Sequence, residues 1–573
     1  MKKLFSLVLV LLLALGASAS AEKVFHYYLK NDVPTLAGVN SVETAINTPA
    51  TYVSATLYRA YPDEDGRNFH YEGEIASDLP QQVNATTWRI PLRKEACWAN
   101  GDPIDADTMI YTFKMGLDPV LANQMADFIS DQDITIVGAK AYSKQTSDAP
   151  LSWDTVGIRK IDQYTLEIET EGEVSQTSVC AHFTTRAVVP LYEPLYEALM
   201  SEDRTSTTYG ADAASFMSCG PYKLESWVHD SQQTYVRNEN YWMPERFHYD
   251  RVEVRIIPEM NARVELWEQG GLDYLAPDSN TIETYIDDPR TVEYASNTVY
   301  HIDLNANNPL NPLSGNLNYR KAMYHAMNRE VIARDLFGYM QPSGTYVNGQ
   351  AGMFSESGEL YRQSEPGKRV TALVDSWGPA GYNPELAREY LAKAYEECGL
   401  PEDTVINLII GFNPGESYWK ATAEYLQEEF PKIFEGKVTL SATTYSGIST
   451  TEFKKGTDEW DLSPNDWSRA SSRTYPYAAF YYYLSSYASH PNNYLNEEFE
   501  AQYAVCDSDE VKADYARMLE ETAKLEEIYL DKVIHVPVVQ DVAYEMFADR
   551  LTLPVEYYLP GFGWGLPFGD IAE

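Results

Sequence analysis

Cys219-Gly220-Pro221-Tyr222-Lys223-Leu224-Glu225-Ser226-Trp227, resumed at Arg237-Asn238-Glu239-Asn240-Tyr241-Trp242, restricts the architecture of this chain more than any other stretch. A Gly-Pro turn feeds a short strand, a polar reversal follows, and the returning strand ends in an Asn-rich turn closed by two aromatics. The segment reads as a β-hairpin.

The chain opens on a basic Met1-Lys2-Lys3, runs almost unbroken through apolar residues from Leu4 to Leu15, and passes into Gly16-Ala17-Ser18-Ala19-Ser20-Ala21. A run of about a dozen apolar residues is short for a membrane span of roughly 20. Charge, apolar run and Ala-x-Ala sites in this order are those of a secretory signal peptide, cut before Glu22. No later stretch is apolar for long enough to cross a membrane as a helix, which excludes a permease or membrane enzyme. A protein exported from the cytoplasm is expected.

With 573 residues, 44% of them hydrophobic, the chain can bury several cores, and two or three domains are expected. Acidic side chains number 85 against 44 basic ones, a formal net charge of −41, and so acidic a surface repels nucleic acid and anionic lipid. The charge is dispersed, as on solvated globular faces, rather than gathered into tails. Cys97, Cys180, Cys219, Cys398 and Cys506 lie far apart, and their odd number leaves at least one thiol free. None sits in a Cys-x-x-Cys or Cys/His pattern, so no metal site and no cofactor is expected.

Along the chain, Lys23 to Leu36 reads as a strand entering a turn, and Thr51 to Tyr61 as a helix. Pro62-Asp63-Glu64-Asp65-Gly66 lacks the regular acidic ligands of a calcium loop and reads as a tight Asp-Gly turn. Trp88, Ile90 and Leu92 alternate with Arg89 and Arg93 as in a half-buried strand. Cys97-Trp98-Ala99-Asn100-Gly101-Asp102-Pro103-Ile104-Asp105-Ala106 is a turn opening a helix with Met109 and Phe113, and Thr108 can serve its cap. Tyr164, Leu166 and Ile168 alternate as a strand after Val156-Gly157-Ile158. Glu268-Gln269-Gly270-Gly271-Leu272-Asp273 reads as a helix end, and the Asn- and Pro-rich Asn305 to Pro312 as a crossing between lobes. Ala322, Met323, Ala326 and Met327 form one helical stripe, expected to end at Gly338. Asn383 caps a second helix, with Pro384 at its first position and Gly399 at its stop. A strand at Val405 to Gly411, a helix through Tyr425 and a strand near Val438 to Thr443 give a βαβ order, hence an α/β lobe. A long amphipathic helix with Met518, Leu519 and Leu525 leads to Ile534-His535-Val536-Pro537.

Four of these motifs resemble the large solute-binding proteins of ABC importers, family 5, the oligopeptide, dipeptide and nickel-binding type. They are the turn around Trp98, the Gly220 to Trp242 hairpin ("G-P-Y-x-L-x-x-W … N-x-x-Y-W"), the Arg320 to Arg329 helix with Asn328 in place of Asp, and the Tyr382 to Ala394 helix. The likeness runs in order from about Lys23 to Pro560. It implies an α/β, bilobal periplasmic-binding-protein fold (type II, cluster C-like) with an extra domain inserted in the first lobe. The expected division is 1–21 signal peptide, 22–51 with 170–302 and 535–573 lobe I, 52–169 extra domain, and 303–534 lobe II. The lobes would hinge about a bound solute. No cysteine stands at the cleavage region, so the lipid anchor common among Gram-positive relatives is not encoded there.

In peptide-binding relatives a Gly-Trp-x-x-Asp loop lies in the cleft, its Trp and main chain holding the peptide and its Asp pairing with the α-amino group. The corresponding loop here is Asp466-Trp467-Ser468-Arg469-Ala470-Ser471-Ser472-Arg473. Trp467 matches, but Ala470 replaces the Asp, and an ammonium buried unpaired costs several kcal/mol. Arg469 and Arg473 offer forks for a carboxylate, phosphate or sugar hydroxyl, and equally serve as salt-bridge partners. Tyr475 and the aromatics that follow it either line a pocket or pack a core. Analogy adds Val42 and Glu43 from the N-terminal loop.

A secreted hydrolase finds no Gly-x-Ser-x-Gly elbow and no His-Glu-x-x-His helix to support it. A receptor for chelated metal such as nickel is the other alternative, although the nine scattered His show no i, i+4 pairing. The expectation is a non-enzymatic, monomeric, extracytoplasmic receptor that passes a peptide-like or other small organic solute to an importer's permease.

Overall fold

The structure, a computed structural model, describes residues 22–41, 43–131, 134–352, 358–445, 450–457, 459–467, 470–486, 494–512 and 514–572. The chain divides into two compact units, one running to Leu275 and resuming at Met546, the other spanning Ala276–Glu545. The expected signal peptide, 1–21, lies outside the described residues. Among those described, no helix is long and apolar enough to cross a membrane.

The first unit carries β1 (Val24–Leu29), β2 (Tyr58–Pro62), β3 (Phe69–Gly73), β4 (Gln81–Asn84), β5 (Thr87–Pro91), β6 (Ile158–Asp162), β7 (Thr165–Glu169), β8 (Tyr222–Val228), β9 (Gln232–Arg237), β10 (Arg251–Ile256) and β11 (Tyr274–Leu275). The first ten form the sheets β1-β10-β9-β8, β4-β5-β7-β6 and β2-β3. The Gly-Pro hairpin is β8 and β9, and its motif residues reach three other segments. At Gly220 a Cβ would lie 2.4 Å from the Ser54 nitrogen, so two backbones meet where only glycine fits. The Trp227 indole donates to Asp32 at 3.1 Å, Tyr241 Oη to Glu74 at 2.7 Å, and the Trp242 indole to the Glu74 carbonyl at 2.8 Å.

The helix α1 (Ala106–Gly116) starts on a capping box: Asp105 accepts from the Thr108 nitrogen at 3.2 Å while Thr108 Oγ1 accepts from the Asp105 nitrogen at 3.5 Å. A shorter helix, α2 (Gln176–His182), follows β7. The helix expected over Thr51 to Tyr61 stops at Val53, and Tyr58–Pro62 is β2 instead. The Asp63 to Gly66 turn, with Gly66 at φ +68°, folds Phe69–Gly73 back onto it, and cross-strand pairing of the aromatics outweighs helix propensity. Asp273 closes the unit, accepting from the His26 nitrogen and from the guanidinium of Arg550 on the returning chain.

The second unit is built on β12 (Thr291–Leu304), β13 (Gln341–Pro342), β14 (Ile406–Phe412), β15 (Val438–Thr444), β16 (Leu462–Trp467) and β17 (Val536–Phe547), ordered β17-β12-β16-β14-β15 with β13 against β17. Its helices include α3 (Leu317–Ala326), α4 (Pro384–Cys398), α5 (Ser417–Ile433), α6 (Thr450–Gly456) and α7 (Tyr515–Asp531). β14 and β15 are parallel and joined through α5, the expected βαβ unit. Asn383 caps α4 by accepting from Glu385 and Leu386, and Gly399 ends it at φ +66°. The stripe at Ala322 does not continue to Gly338: α3 stops at Ala326, and Asn328 starts a new turn by accepting from the Val331 nitrogen. The motif's two arginines are buried. Arg320 donates to the carbonyls of Leu304, Val533 and Ile534, tying the chain leading into β17 to α3, and Arg329, just past α3, donates to the Pro537 carbonyl of β17 itself.

Asn305 to Pro312 lies inside the second unit, where its asparagines cap the end of β12: Asn305 donates to the Trp460 carbonyl and Asn311 to Asp461. All five cysteines are free thiols.

Candidate functional site: carboxylates and tyrosines at one end of a sheet

β16 carries Asp466 and Trp467 to its C-terminal end, where the β12 register sets Tyr300 opposite Asp466 and Val299 opposite Trp467. β14 lies alongside β16, and the loop after it leads into α5, which brings Glu416 and Tyr418 to the same end. β17, on the other side of β12, contributes Asp541, held by the Ser296 hydroxyl at 2.6 Å. Antiparallel and parallel neighbours thus converge four segments, far apart in sequence, on one patch.

Asp466 is exposed, while Glu416, Asp541, Tyr300 and Tyr418 are half-buried. Burial pushes the Glu416 carboxyl above the usual range, and the charge of Asp466 adds to it. Burial likewise raises Asp541, with Asp466 contributing, against the lowering effect of the Ser296 hydroxyl and the Val542 N–H. Tyr418 is pushed up to about 12, first by burial and then by Glu416, Asp466 and Asp541. Among the described residues none of these three carboxyls forms an ion pair. The Tyr300 and Tyr418 rings lie 5.9 Å apart, and Phe337 is 4.6 Å from Tyr418. Mutually repelling carboxylates beside tyrosine faces form an environment that favours a cation.

Beneath this patch the interior of the unit holds a buried polar network. Asp303 pairs with Lys454 of α6 and lies 2.8 Å from His535 Nδ1 and 3.3 Å from His301 Nε2, all fully buried. Burial opposes ionisation of Asp303, yet Lys454 and the two imidazoles hold its carboxyl well below the usual range. Burial drives His535 down to about 3, so it is neutral at physiological pH. The network joins α6 to β12 and to the entry of β17, two of the strands that carry the patch.

The loop expected to meet solute is only partly described. The Trp467 backbone ends β16 while its side chain, Ser468, Arg469 and Val42 lie outside the described residues. Asp466 belongs to the carboxylate patch. Arg473 is exposed at the end of the turn Ala470–Arg473, with no ion pair among the described residues. Ser472 anchors that turn, its carbonyl accepting from Gly352 at 2.9 Å and its hydroxyl from Asn348 at 3.4 Å. Tyr475 is half-buried and packs against the unit's core, its ring 6.0 Å from Tyr477. Glu43 is exposed on the first unit, its N–H donating to Ser41 Oγ at 3.2 Å. Glu416, Asp541, Tyr300 and Tyr418 went unnoticed in the sequence; they share no motif, and only strand register brings them to Asp466. Among the described residues no cluster of three His, Cys, Asp or Glu side chains is arranged to hold a metal.

Residues 70–489 match the family model of bacterial extracellular solute-binding proteins, family 5. The chain is 24% identical over 369 residues to the oligopeptide-binding protein OppA of Bacillus subtilis, covering 63% of this chain and 61% of that one, less than two thirds of its length. It is 23% identical over 448 residues to the periplasmic oligopeptide-binding protein OppA of Haemophilus influenzae, covering 75% and 74%. Its fold is that of MppA, a periplasmic murein tripeptide binding protein solved in an unliganded open form. The TM-score is 0.71 at 16% identity, over 96% of this chain and 98% of that one.

Proposed function

Because this chain belongs to the bacterial extracellular solute-binding proteins, family 5, we propose that it is a non-catalytic receptor for a peptide-like solute bearing a cationic group. It captures that solute outside the cytoplasm and delivers it to the permease of an ABC importer. The observation that carries this reading is the convergence of Glu416, Asp466 and Asp541 beside Tyr300 and Tyr418. An ammonium there relieves the repulsion among the carboxylates and receives the charge partner that a desolvated cation requires. A peptide's free amino terminus, with a pKa near 8, is such a group. The two relatives compared above are named for oligopeptide binding. On this reading the strand-borne carboxylates take over the task that the family assigns to the Asp replaced here by Ala470. Trp467, Ser468, Arg469, Arg473 and Tyr475 are assigned to the same solute site, and the receptor acts as a monomer.

The test is mass spectrometry of whatever co-purifies, followed by a melting-shift screen of peptides with free and acetylated amino termini, sugars and metal chelates. Peptides with free termini raise the melting temperature and their acetylated counterparts do not; a screen in which only sugars or chelates stabilise, or in which peptides are turned over to product, rejects the proposal. Trp467→Ala weakens binding roughly thirtyfold, as expected for an aromatic anchor worth about 2 kcal/mol, and leaves the unliganded melting temperature nearly unchanged.

A further inference from the structure

His301 and Asp303 share one face of β12, and the register sets Asn465 and Ser463 of β16 directly opposite them. Tyr300 and Asp466, the neighbouring pair, point to the other face, where the solute patch lies. The Asp303 face is closed: His301, Asp303 and Ser463 are 0% exposed, and α6 reaches into it with Lys454, paired to Asp303. Asp303 also accepts from the Asn465 amide at 3.5 Å and stands 2.8 Å from His535 Nδ1 at the entry to β17. Asn465 donates to Tyr482 Oη as well, at 2.6 Å. From its place on β12, one buried carboxylate thus meets β16, α6 and the chain entering β17.

We propose that Asp303 and Lys454 are positioning residues for the solute patch: with Asn465 and His535 they pin β16 and β17 against β12 in the register that presents Tyr300 and Asp466. Hydrophobic pattern does not choose that register, because β12 buries apolar side chains on both faces, Val299 on one and Ile302 and Leu304 on the other. The polar residues do choose it. A slip of β16 by one residue would turn Asp466 inward, toward Asp303, and carry Asn465 out to the patch face. Two carboxylates would then share a closed interior with Lys454 as the one cation of the network. A buried ion pair contributes little net stability, and apolar side chains of similar volume often serve the fold equally well. What the pair supplies here is geometry: the strands that bear Tyr300, Asp466 and Asp541 are fixed at a common point on the face opposite the patch.

The experiment removes one charge and then both. Lys454→Met alone leaves Asp303 buried and unpaired and lowers the melting temperature by about 10 °C; adding Asp303→Leu returns it to within about 3 °C of the unaltered protein. At that restored stability the double variant binds trialanine about tenfold more weakly, and the backbone amides of residues 462–467 exchange hydrogen faster than in the unaltered protein. The binding arm rests on the solute reading above, and the exchange arm does not. A double variant as unstable as the single one makes the pair a stability element and overturns the proposal, as does a double variant with unaltered affinity and exchange. If trialanine does not bind the unaltered protein, the solute reading falls, and native exchange over 462–467 in the double variant then overturns the pin as well. Asn465→Ala, which keeps the ion pair, decides the matter if the double variant does not fold: it speeds the same exchange, and native protection there overturns the proposal.

Discussion

Glu74 and Asp273 in the first unit and Glu416, Asp466 and Asp541 in the second are the same chemical groups placed in opposite circumstances. Glu74 is fully buried and saturated: Arg59 and Tyr241 Oη each donate at 2.7 Å, and the Thr56 nitrogen at 2.8 Å. Asp273, also fully buried, receives two bonds from Arg550, at 2.6 and 2.8 Å, and one from the His26 nitrogen. The sheet-end carboxyls of the second unit have no basic partner among the described residues and crowd one another beside tyrosines. The first arrangement locks distant parts of a chain together. The second holds unspent electrostatic capacity, the kind of perturbed cluster that makes a candidate functional site.

The largest effect that separates the two cases is expected at Glu74. Glu74→Ala strands the Arg59 guanidinium in the interior, and urea denaturation should register a loss of about 3–5 kcal/mol, the usual consequence of halving a buried pair. A loss below about 1 kcal/mol would mean that Glu74 is not the lock described.

A smaller effect of opposite character is expected for Asp541→Asn and Glu416→Gln. Each should weaken binding of a free-terminus peptide about tenfold, equivalent to about 1.4 kcal/mol. The unliganded protein should hold or slightly gain stability, within about 1 kcal/mol. These carboxyls titrate above the range of an unfolded chain, so the native state binds their protons more readily. They therefore penalise folding at neutral pH, and the penalty fades as pH falls through the raised range. A drop in melting temperature like that of Glu74→Ala would reassign them to structure and erase the contrast.

The smallest expected effect is a pH dependence of affinity. A bound cation favours the ionised carboxylates, so binding expels protons and affinity climbs as pH rises through the elevated carboxyl range, levelling off above it. Calorimetry in buffers of different ionisation enthalpy measures the released protons; uptake, or no exchange, would contradict a cationic solute group at this patch.

Much of the scaffold was legible from local rules. The Gly-Pro turn before Tyr222, Asn383 ahead of Pro384, Gly399 at a left-handed stop and the alternation in β5 each depend on residues within one turn or strand, where propensity, capping and period act directly. Local reading failed at Thr51 to Tyr61, where cross-strand partners seven to fifteen residues away converted an expected helix into β2. It failed again beyond Ala326, where Asn328 capped a new turn.

The amino-acid order by itself determined the family motifs, the elements and the α/β class, because those are set by neighbours along the chain. The positions of residues 300, 416, 466 and 541 around one another were decided only by strand register and sheet order. Register is fixed by the pairing of whole strands, and no short window of sequence contains both partners.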